Sequence, residues 1–138
     1  MTMSPRQIVR TRARGGMRTM HLRVLIAVCV VVSAVVHLIL WAEGMRTVDV
    51  VGPAFLVNGV GGIILGIVVL AWRHPLPLVG AIAFGIGTLG AFIVSTTPGG
   101  FFGVHETWNG LPQQLSAISE IGAIALAALA LMIERPKG

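Results

Sequence analysis

Charged side chains are scarce in this sequence: Asp, Glu, Lys and Arg make up 11% of its 138 residues, against about 25% in soluble domains. The chain therefore lacks the polar surface that a water-soluble fold needs, and 55% of its residues are hydrophobic. Its one cysteine, Cys29, excludes an intrachain disulfide and any site built from several cysteines. It also lacks a phosphate-binding loop, because Gly59, Gly61 and Gly62 lie in an apolar run. These absences favour a single membrane domain over a soluble nucleotide-binding protein.

What the sequence does have is four apolar runs, each about as long as the roughly 20 residues that cross a hydrocarbon core. They predict an all-α, integral membrane four-helix bundle. A cleaved signal peptide is the alternative for the first run, since Val32, Ser33 and Ala34 resemble a cleavage site. That run continues to Trp41, however, which is long for a signal peptide. We expect a basic, disordered cytoplasmic arm over residues 1–21, a domain over 22–134 with spans at about 22–42, 51–72, 78–95 and 114–133, and a cytoplasmic tail over 135–138.

The distribution of positive charge predicts the orientation. Nine of the ten Lys and Arg residues precede the first apolar run or lie in the turn at Arg73 or at the C-terminus, and Arg46 is the exception. Because cytoplasmic loops are enriched in these residues, both termini are expected in the cytoplasm and the loop after the third span outside. We therefore predict a multi-pass protein of the plasma (inner) membrane, with anionic lipid bound at the basic arm. No nucleic-acid-binding fold or aromatic platform accompanies the charge, so nucleic acid is not an expected partner.

Small residues recur within the spans at positions that predict close helix packing. Glycine lets two membrane helices approach until their backbones nearly touch. The sequence offers the same small-residue surfaces to helices of other membrane-protein subunits, which are expected partners. The predicted packing glycines are Gly62, Gly66, Gly85, Gly87 and Gly122.

Three polar residues within the spans are predicted to share one shallow layer near the outer face. At 1.5 Å per residue, His37 and Asn58 lie roughly 6–8 Å below that face, and Glu120 lies about 10 Å below it. The loop above the layer carries His105 and Glu106. An ionisable group inside a membrane is costly and usually indicates a site or a partner. The layer is therefore the candidate site.

Several interpretations of this layer stay open. His37, Asn58 and Glu120 could hydrogen-bond one another as structural glue between helices. Alternatively, His37, His105, Glu106 and Glu120 could hold a transition metal, a donor set suited to zinc, iron or copper(II). A ligand, proton or partner could also bind there. No cofactor is predicted outright, since no spacing motif accompanies these residues.

The sequence supports no enzymatic mechanism. It contains no HExxH motif, and no Ser–His–Asp arrangement follows from its spacing. A channel or autonomous transporter is disfavoured, because the four short spans show no inverted repeat and no charged pathway. We expect a protein that is not an enzyme.

Three segments, together with Glu120, resemble an uncharacterised family of small four-span actinobacterial membrane proteins. They are HLILW at 37–41, FLVN at 55–58 and PGGFFGVHE at 98–106. The resemblance covers about residues 22–133 and implies a four-span fold, but it brings no assigned activity. Some small four-span proteins are accessory subunits of lipid importers or respiratory complexes. By this analogy the resemblance implies a non-enzymatic accessory or stabilising subunit.

Overall fold

A computed structural model of the chain describes residues 2–135. Within this range it forms four α-helices and a short 3-10 turn at Met45–Thr47. All four helices are long and apolar enough to span a membrane, which confirms the prediction of an all-α chain with four candidate spans. Residues 136–138 of the predicted tail lie outside the described residues. The helices are α1 (Pro5–Glu43), α2 (Val51–Ala71), α3 (Pro75–Ser95) and α4 (Leu111–Glu134).

The helices pack unevenly around α1 and α4. Helix α1 packs along α2 and α4, and α3 packs along α4, whereas α2 and α3 have few contacts with each other. Two ends can be distinguished. The loop end carries segments 44–50 and 96–110, and the turn end carries segment 72–74 and the C-terminus of α4.

Helix α1 begins at Pro5, inside the segment for which a disordered arm was predicted. Ser4 and Gln7 form a capping box at its start, and proline suits the first turn of a helix. Gly15 and Gly16 each disfavour helix by about 1 kcal/mol, but extending a helix that already exists avoids the cost of nucleation. Residues 5–18 are largely exposed and extend roughly 20 Å beyond the bundle.

Prolines lie in the first turn of two helices, in segments that were expected to be non-helical. Pro75 and Pro77 lie in the first turn of α3, although the span was predicted to begin at 78. Pro112 is the second residue of α4, where the prediction began at 114. The first turn of a helix has no intrahelical partners for its N–H groups, so a proline there loses no hydrogen bond.

Four of the five predicted packing glycines lie against a neighbouring helix. A Cβ added to Gly62, Gly66, Gly85 or Gly122 would lie within about 3 Å of a neighbouring side chain, for example 2.6 Å from Ile124 Cγ1 at Gly85. Gly87 differs from the prediction, since a Cβ there would meet nothing within 4 Å. The residue faces outward from α3 at the rim of a cavity.

The apolar core lies between the middle of the bundle and the turn end. At the turn end itself, Arg23 is buried, with 1% of its surface exposed. Its guanidinium forms a two-bond ion pair with Glu134, with distances of 2.9 and 2.7 Å. Its remaining N–H groups donate to the carbonyls of Val69, Trp72 and His74 at 2.9–3.1 Å. Arg23 thereby joins α1, the end of α2, the 72–74 turn and α4. The sequence analysis had counted it only among the basic residues that precede the first apolar run.

Candidate functional site

A cavity of about 400 Å³ lies among all four helices at the loop end. Most of its wall is apolar, including the rings of four phenylalanines. The polar lining residues are His37, Asn58, Thr88, Ser95, Glu106, Gln113, Ser116 and Glu120. The three embedded residues that the sequence placed at one depth therefore line one cavity, together with Glu106 from the loop.

Glu120 is the most buried of the polar residues in this wall, with 1% of its surface exposed. Its Oε1 accepts hydrogen bonds from Ser116 Oγ at 2.6 Å and from Ser33 Oγ at 2.8 Å. Ser116 is one turn away on the same helix, and Ser33 comes from α1. Glu120 Oε2 is buried and has no hydrogen-bond partner among the described residues. Only one of the two carboxyl oxygens therefore has hydrogen-bond partners within the described residues.

His37 connects to Glu120 through Ser33 and not directly. Its Nδ1 lies 2.8 Å from the carbonyl oxygen of Ser33, one turn earlier on α1. Because a carbonyl oxygen can only accept, Nδ1–H is the donor, which leaves Nε2 as the acceptor of a neutral ring. The ring also packs against Phe55 of α2 with centroids 4.8 Å apart. The direct His37–Glu120 bond of the glue interpretation is therefore not formed.

The loop side of the cavity is closed by Glu106 and Gln113. Gln113 Nε2 donates to Glu106 Oε2 at 3.0 Å, and Glu106 N–H donates to the carbonyl of Ser95 at 3.1 Å. This second bond ties the loop to the end of α3. Gln113 Oε1 is buried and has no partner in the part of the chain that the structure describes. It is a second unmatched acceptor, and it packs against Gly110, where an added Cβ would overlap it.

Asn58 forms the cavity wall on α2, opposite Thr88 of α3. Thr88 Oγ1 donates to the carbonyl of Phe84 at 2.7 Å and lies 3.5 Å from Asn58 Oδ1, the limit of a hydrogen bond. The Asn58 amide is therefore only weakly held. Its donors and its acceptor stay available to a bound molecule.

His105 does not join the cavity, contrary to its predicted place in the site. It is exposed, and its Nε2 lies 3.1 Å from the carbonyl oxygen of Pro98. A Cβ at Gly100, where φ is +65°, would lie 2.8 Å from the His105 ring. His105 thus packs within the loop and stabilises the glycine turn. The sequence placed both His105 and Glu106 in the site because their loop lies above the polar layer, but adjacent residues of an extended loop point in different directions.

The proposed metal donors are consequently separated. Among residues 2–135, no three His, Cys, Asp or Glu side chains are grouped closely enough to hold a metal ion. His37, Glu106 and Glu120 line the cavity, but Ser33 connects His37 to Glu120 through its carbonyl and hydroxyl groups, and Glu106 is bonded to Gln113.

Sequence reasoning missed Ser33, Thr88 and Gln113 as parts of the site. Two of them share a helix with a residue that the sequence did identify: Ser33 precedes His37 by four residues, and Gln113 precedes Glu120 by seven. Thr88 lies on the helix that faces Asn58. Residues at these spacings share one face of a helix. That spacing is the signal that could have found Ser33 and Gln113. Thr88 is recognisable only once α2 and α3 are known to face each other.

No known protein family, curated protein or solved structure matches this chain.

Proposed function

We propose that this chain is a small, non-enzymatic membrane protein that binds a small, mainly apolar ligand in the cavity at its loop end. The observation that carries the proposal is the buried Glu120 carboxyl, whose Oε2 has no partner among the described residues and which lines an otherwise largely apolar cavity. Structural glue would use both carboxyl oxygens, because an unsatisfied buried acceptor is costly. A ligand that reaches Oε2 would remove this cost.

The membrane setting of the proposal rests on the exterior of the bundle and on charge. Large apolar side chains point outward on every helix, such as Ile39, Ile67, Ile86 and Ile121, each about half exposed. A lipid environment stabilises such a surface. We propose a multi-pass protein of the plasma membrane with both termini in the cytoplasm, as the Lys and Arg distribution favours. The cavity would then lie in the outer half of the membrane.

The route of entry that we propose lies between α2 and α3. These two helices have few mutual contacts, and the exposed residues of the cavity wall lie on them: Ala54 and Val57 on α2, and Ala83 and Gly87 on α3. Val57 is 71% exposed although it borders the cavity. An opening on this side faces lipid, so the ligand would enter from the bilayer.

A pair of glycine variants on α3 tests this function. Gly87 and Gly90 both have open space at the Cβ position, but Gly87 borders the cavity and Gly90 does not. Gly87→Phe is expected to fill the opening, and Gly90→Phe is its matched control. Protein purified in mild detergent would be extracted with organic solvent, and the extract would be quantified by mass spectrometry. We expect a stoichiometric apolar molecule with the wild type and with Gly90→Phe, and its loss with Gly87→Phe. Equal yields from both variants, or no bound molecule in the wild type, would contradict the proposal.

The metal-binding form of the site stays a prediction. Elemental analysis of the purified protein tests it, with His37→Ala as the variant. A transition metal present at near-stoichiometric amounts and lost in the variant would favour it over an apolar ligand.

A second candidate function is that of an accessory or stabilising subunit of a larger membrane complex, as the family resemblance implies. The observation in its favour is the small-residue surface that the bundle leaves unused: Gly61 on α2 and Gly90 on α3 have open space around them. Phe102 and Trp108 are also exposed on the loop. The exposed arginines of residues 5–18 would contact anionic lipid beside such a complex. Purification at native expression should bring down a stoichiometric membrane partner; recovery of the protein alone would contradict this function.

A further inference from the structure

The cavity has more hydrogen-bond acceptors than donors. Glu120 Oε2 and Gln113 Oε1 are buried without partners. The amide oxygen of Gln113 is an acceptor, and so is Glu120 Oε2 when the carboxyl is ionised, as it would be beside a bound cation. The amide of Gln113 cannot rotate to change this, because its nitrogen must face the Glu106 carboxylate, which accepts. The hydroxyl donors in the wall are already used: Ser116 donates to Glu120, Ser95 to the carbonyl of Phe92, and Thr88 to that of Phe84. Among the described residues, the Asn58 amide nitrogen is the wall donor that stays free, so free acceptors outnumber free donors.

His37 adds a third acceptor to this set. Its Nδ1–H is donated to the carbonyl of Ser33, which leaves Nε2 with its lone pair in a residue that lines the cavity. A complementary ligand must therefore supply donors. A hydroxyl group supplies one donor and brings acceptors of its own, whereas an ammonium group supplies three donors and no acceptor.

The charges of the cavity wall also favour a ligand that donates hydrogen bonds. Two carboxyl groups, Glu106 and Glu120, line the cavity, and no Lys or Arg among the described residues does. An anionic ligand would meet like charge without a compensating cation. A cationic ligand would instead form a charge-assisted hydrogen bond with Glu120, the stronger kind of hydrogen bond.

The aromatic lining also suits a cation. Phe55, Phe84, Phe92 and Phe101 all contribute to the wall. The face of a phenyl ring attracts an ammonium group, and more strongly where water is excluded. The same rings provide the apolar surface that the body of the ligand would cover.

We infer that the ligand is a lipophilic amine, with its amine group hydrogen-bonded to Glu120 Oε2 and its apolar body directed toward the opening between α2 and α3. This inference rests on the proposed function, since it names the chemical class of the ligand that the cavity binds. Gln113 and Glu106 would form a second, shallower set of acceptors. They lie about 10 Å from Glu120 along α4, since Gln113 precedes it by seven residues.

The test compares three probes of equal chain length: octylamine, octanol and octanoic acid. Each probe is radiolabelled and equilibrated by dialysis against protein in lipid nanodiscs, and empty nanodiscs of the same lipid give the membrane background. With the wild type, octylamine should bind at least about tenfold more tightly than octanol, the value of one charge-assisted hydrogen bond. Octanoic acid should bind most weakly.

The variants assign this preference to Glu120. Glu120→Gln keeps the shape and should weaken octylamine about tenfold while leaving octanol nearly unchanged. Glu106→Gln should give a smaller loss of the same sign, and it serves as the test if Glu120→Gln does not fold. Glu43→Gln is the matched control, because Glu43 is exposed at the end of α1 and does not border the cavity.

The outcomes separate this inference from the function on which it rests. If octanol or octanoic acid binds as tightly as octylamine, and Gly87→Phe abolishes that binding, the cavity binds ligands but the amine class is wrong. An octylamine preference that survives both glutamine substitutions also overturns the inference. If no probe binds above the empty nanodiscs, the inference and the proposed function both fail for this class of molecule.

Discussion

The two ends of the bundle bury ionisable groups in opposite ways. At the turn end, Arg23 uses all five of its N–H donors, on Glu134 and on three backbone carbonyls. At the loop end, Glu120 receives two serine hydroxyls on one oxygen and nothing on the other within the described residues. Both residues are 1% exposed, so burial alone does not distinguish them.

This difference supports a structural role for Arg23 and a binding role for Glu120. A fully satisfied buried charge fixes the relative positions of the elements that it bonds, and removing it leaves its partners unpaired. A partly satisfied one keeps bonding capacity for a molecule outside the chain. The apolar core also lies away from the cavity, toward the turn end. The turn end therefore holds the bundle together, while the loop end can stay open.

The largest effect is expected from breaking the turn end. Arg23→Met removes five hydrogen bonds and leaves the Glu134 carboxylate, only 21% exposed, without its cation. We expect the free energy of unfolding to fall by about 3 kcal/mol, as in other buried ion pairs that lose one partner. Unfolding in mixed detergent–SDS micelles measures this change.

The double variant Arg23→Met/Glu134→Met should recover part of that loss, because it leaves no unpaired charge. Arg18→Met is the control, since Arg18 is exposed on the extension of α1. Binding of the cavity ligand should be unchanged in Arg23→Met protein that is still folded. If Arg23→Met lowers the free energy of unfolding by less than about 1 kcal/mol, Arg23 contributes no more than a surface ion pair, and the contrast between the two ends is wrong.

A smaller version of the contrast occurs within α3, between Gly85 and Gly87. A Cβ on Gly85 would lie 2.6 Å from Ile124 Cγ1 and 3.0 Å from the backbone oxygen of Glu120, whereas one on Gly87 meets nothing. Gly85→Ala should lower the free energy of unfolding by about 2 kcal/mol through overpacking. Gly87→Ala should raise it by up to about 1 kcal/mol, because alanine favours helix and no atom obstructs it. The same unfolding assay measures both, and equal effects of the two substitutions would show that α3 is not divided between a packed face and the cavity rim.

The sequence was sufficient for features that depend on single residues and on distance along one helix. Hydropathy predicts four helices because each apolar run is about as long as the roughly 20 residues that cross a hydrocarbon core. Counting residues from the ends of the spans placed His37, Asn58 and Glu120 at one depth, and all three line the cavity. Helix rise is a fixed length, so this reasoning needs no knowledge of packing.

Features that depend on pairs of distant residues could not be obtained in this way. Arg23 and Glu134 are 111 residues apart, and Arg23 was grouped with the arm because of its charge and its place before the apolar run. His105 was placed in the site because its loop lies above the polar layer, although its ring packs against Gly100 and Pro98 within the loop. The helical start of α1 was missed because Gly15 and Gly16 suggested disorder. Only the Arg23 contact joins residues far apart in the sequence; His105 contacts Pro98 seven residues away, and the Ser4–Gln7 capping box of α1 is local.

The smallest effect on stability is expected at the residue most important for the proposed function. Glu120→Gln keeps an oxygen that can accept from Ser33 and Ser116, and it replaces Oε2, which makes no hydrogen bond within the described residues. No existing bond is lost, and the new amide nitrogen is no less satisfied than the oxygen that it replaces. The free energy of unfolding should therefore change by less than about 1 kcal/mol in the SDS assay. Ser33→Ala, which removes one donor to the carboxyl group, is the comparison and should cost about 1 kcal/mol. A loss of about 3 kcal/mol with Glu120→Gln would mean that Glu120 is a structural anchor like Arg23, and the division of roles between the two ends would be wrong.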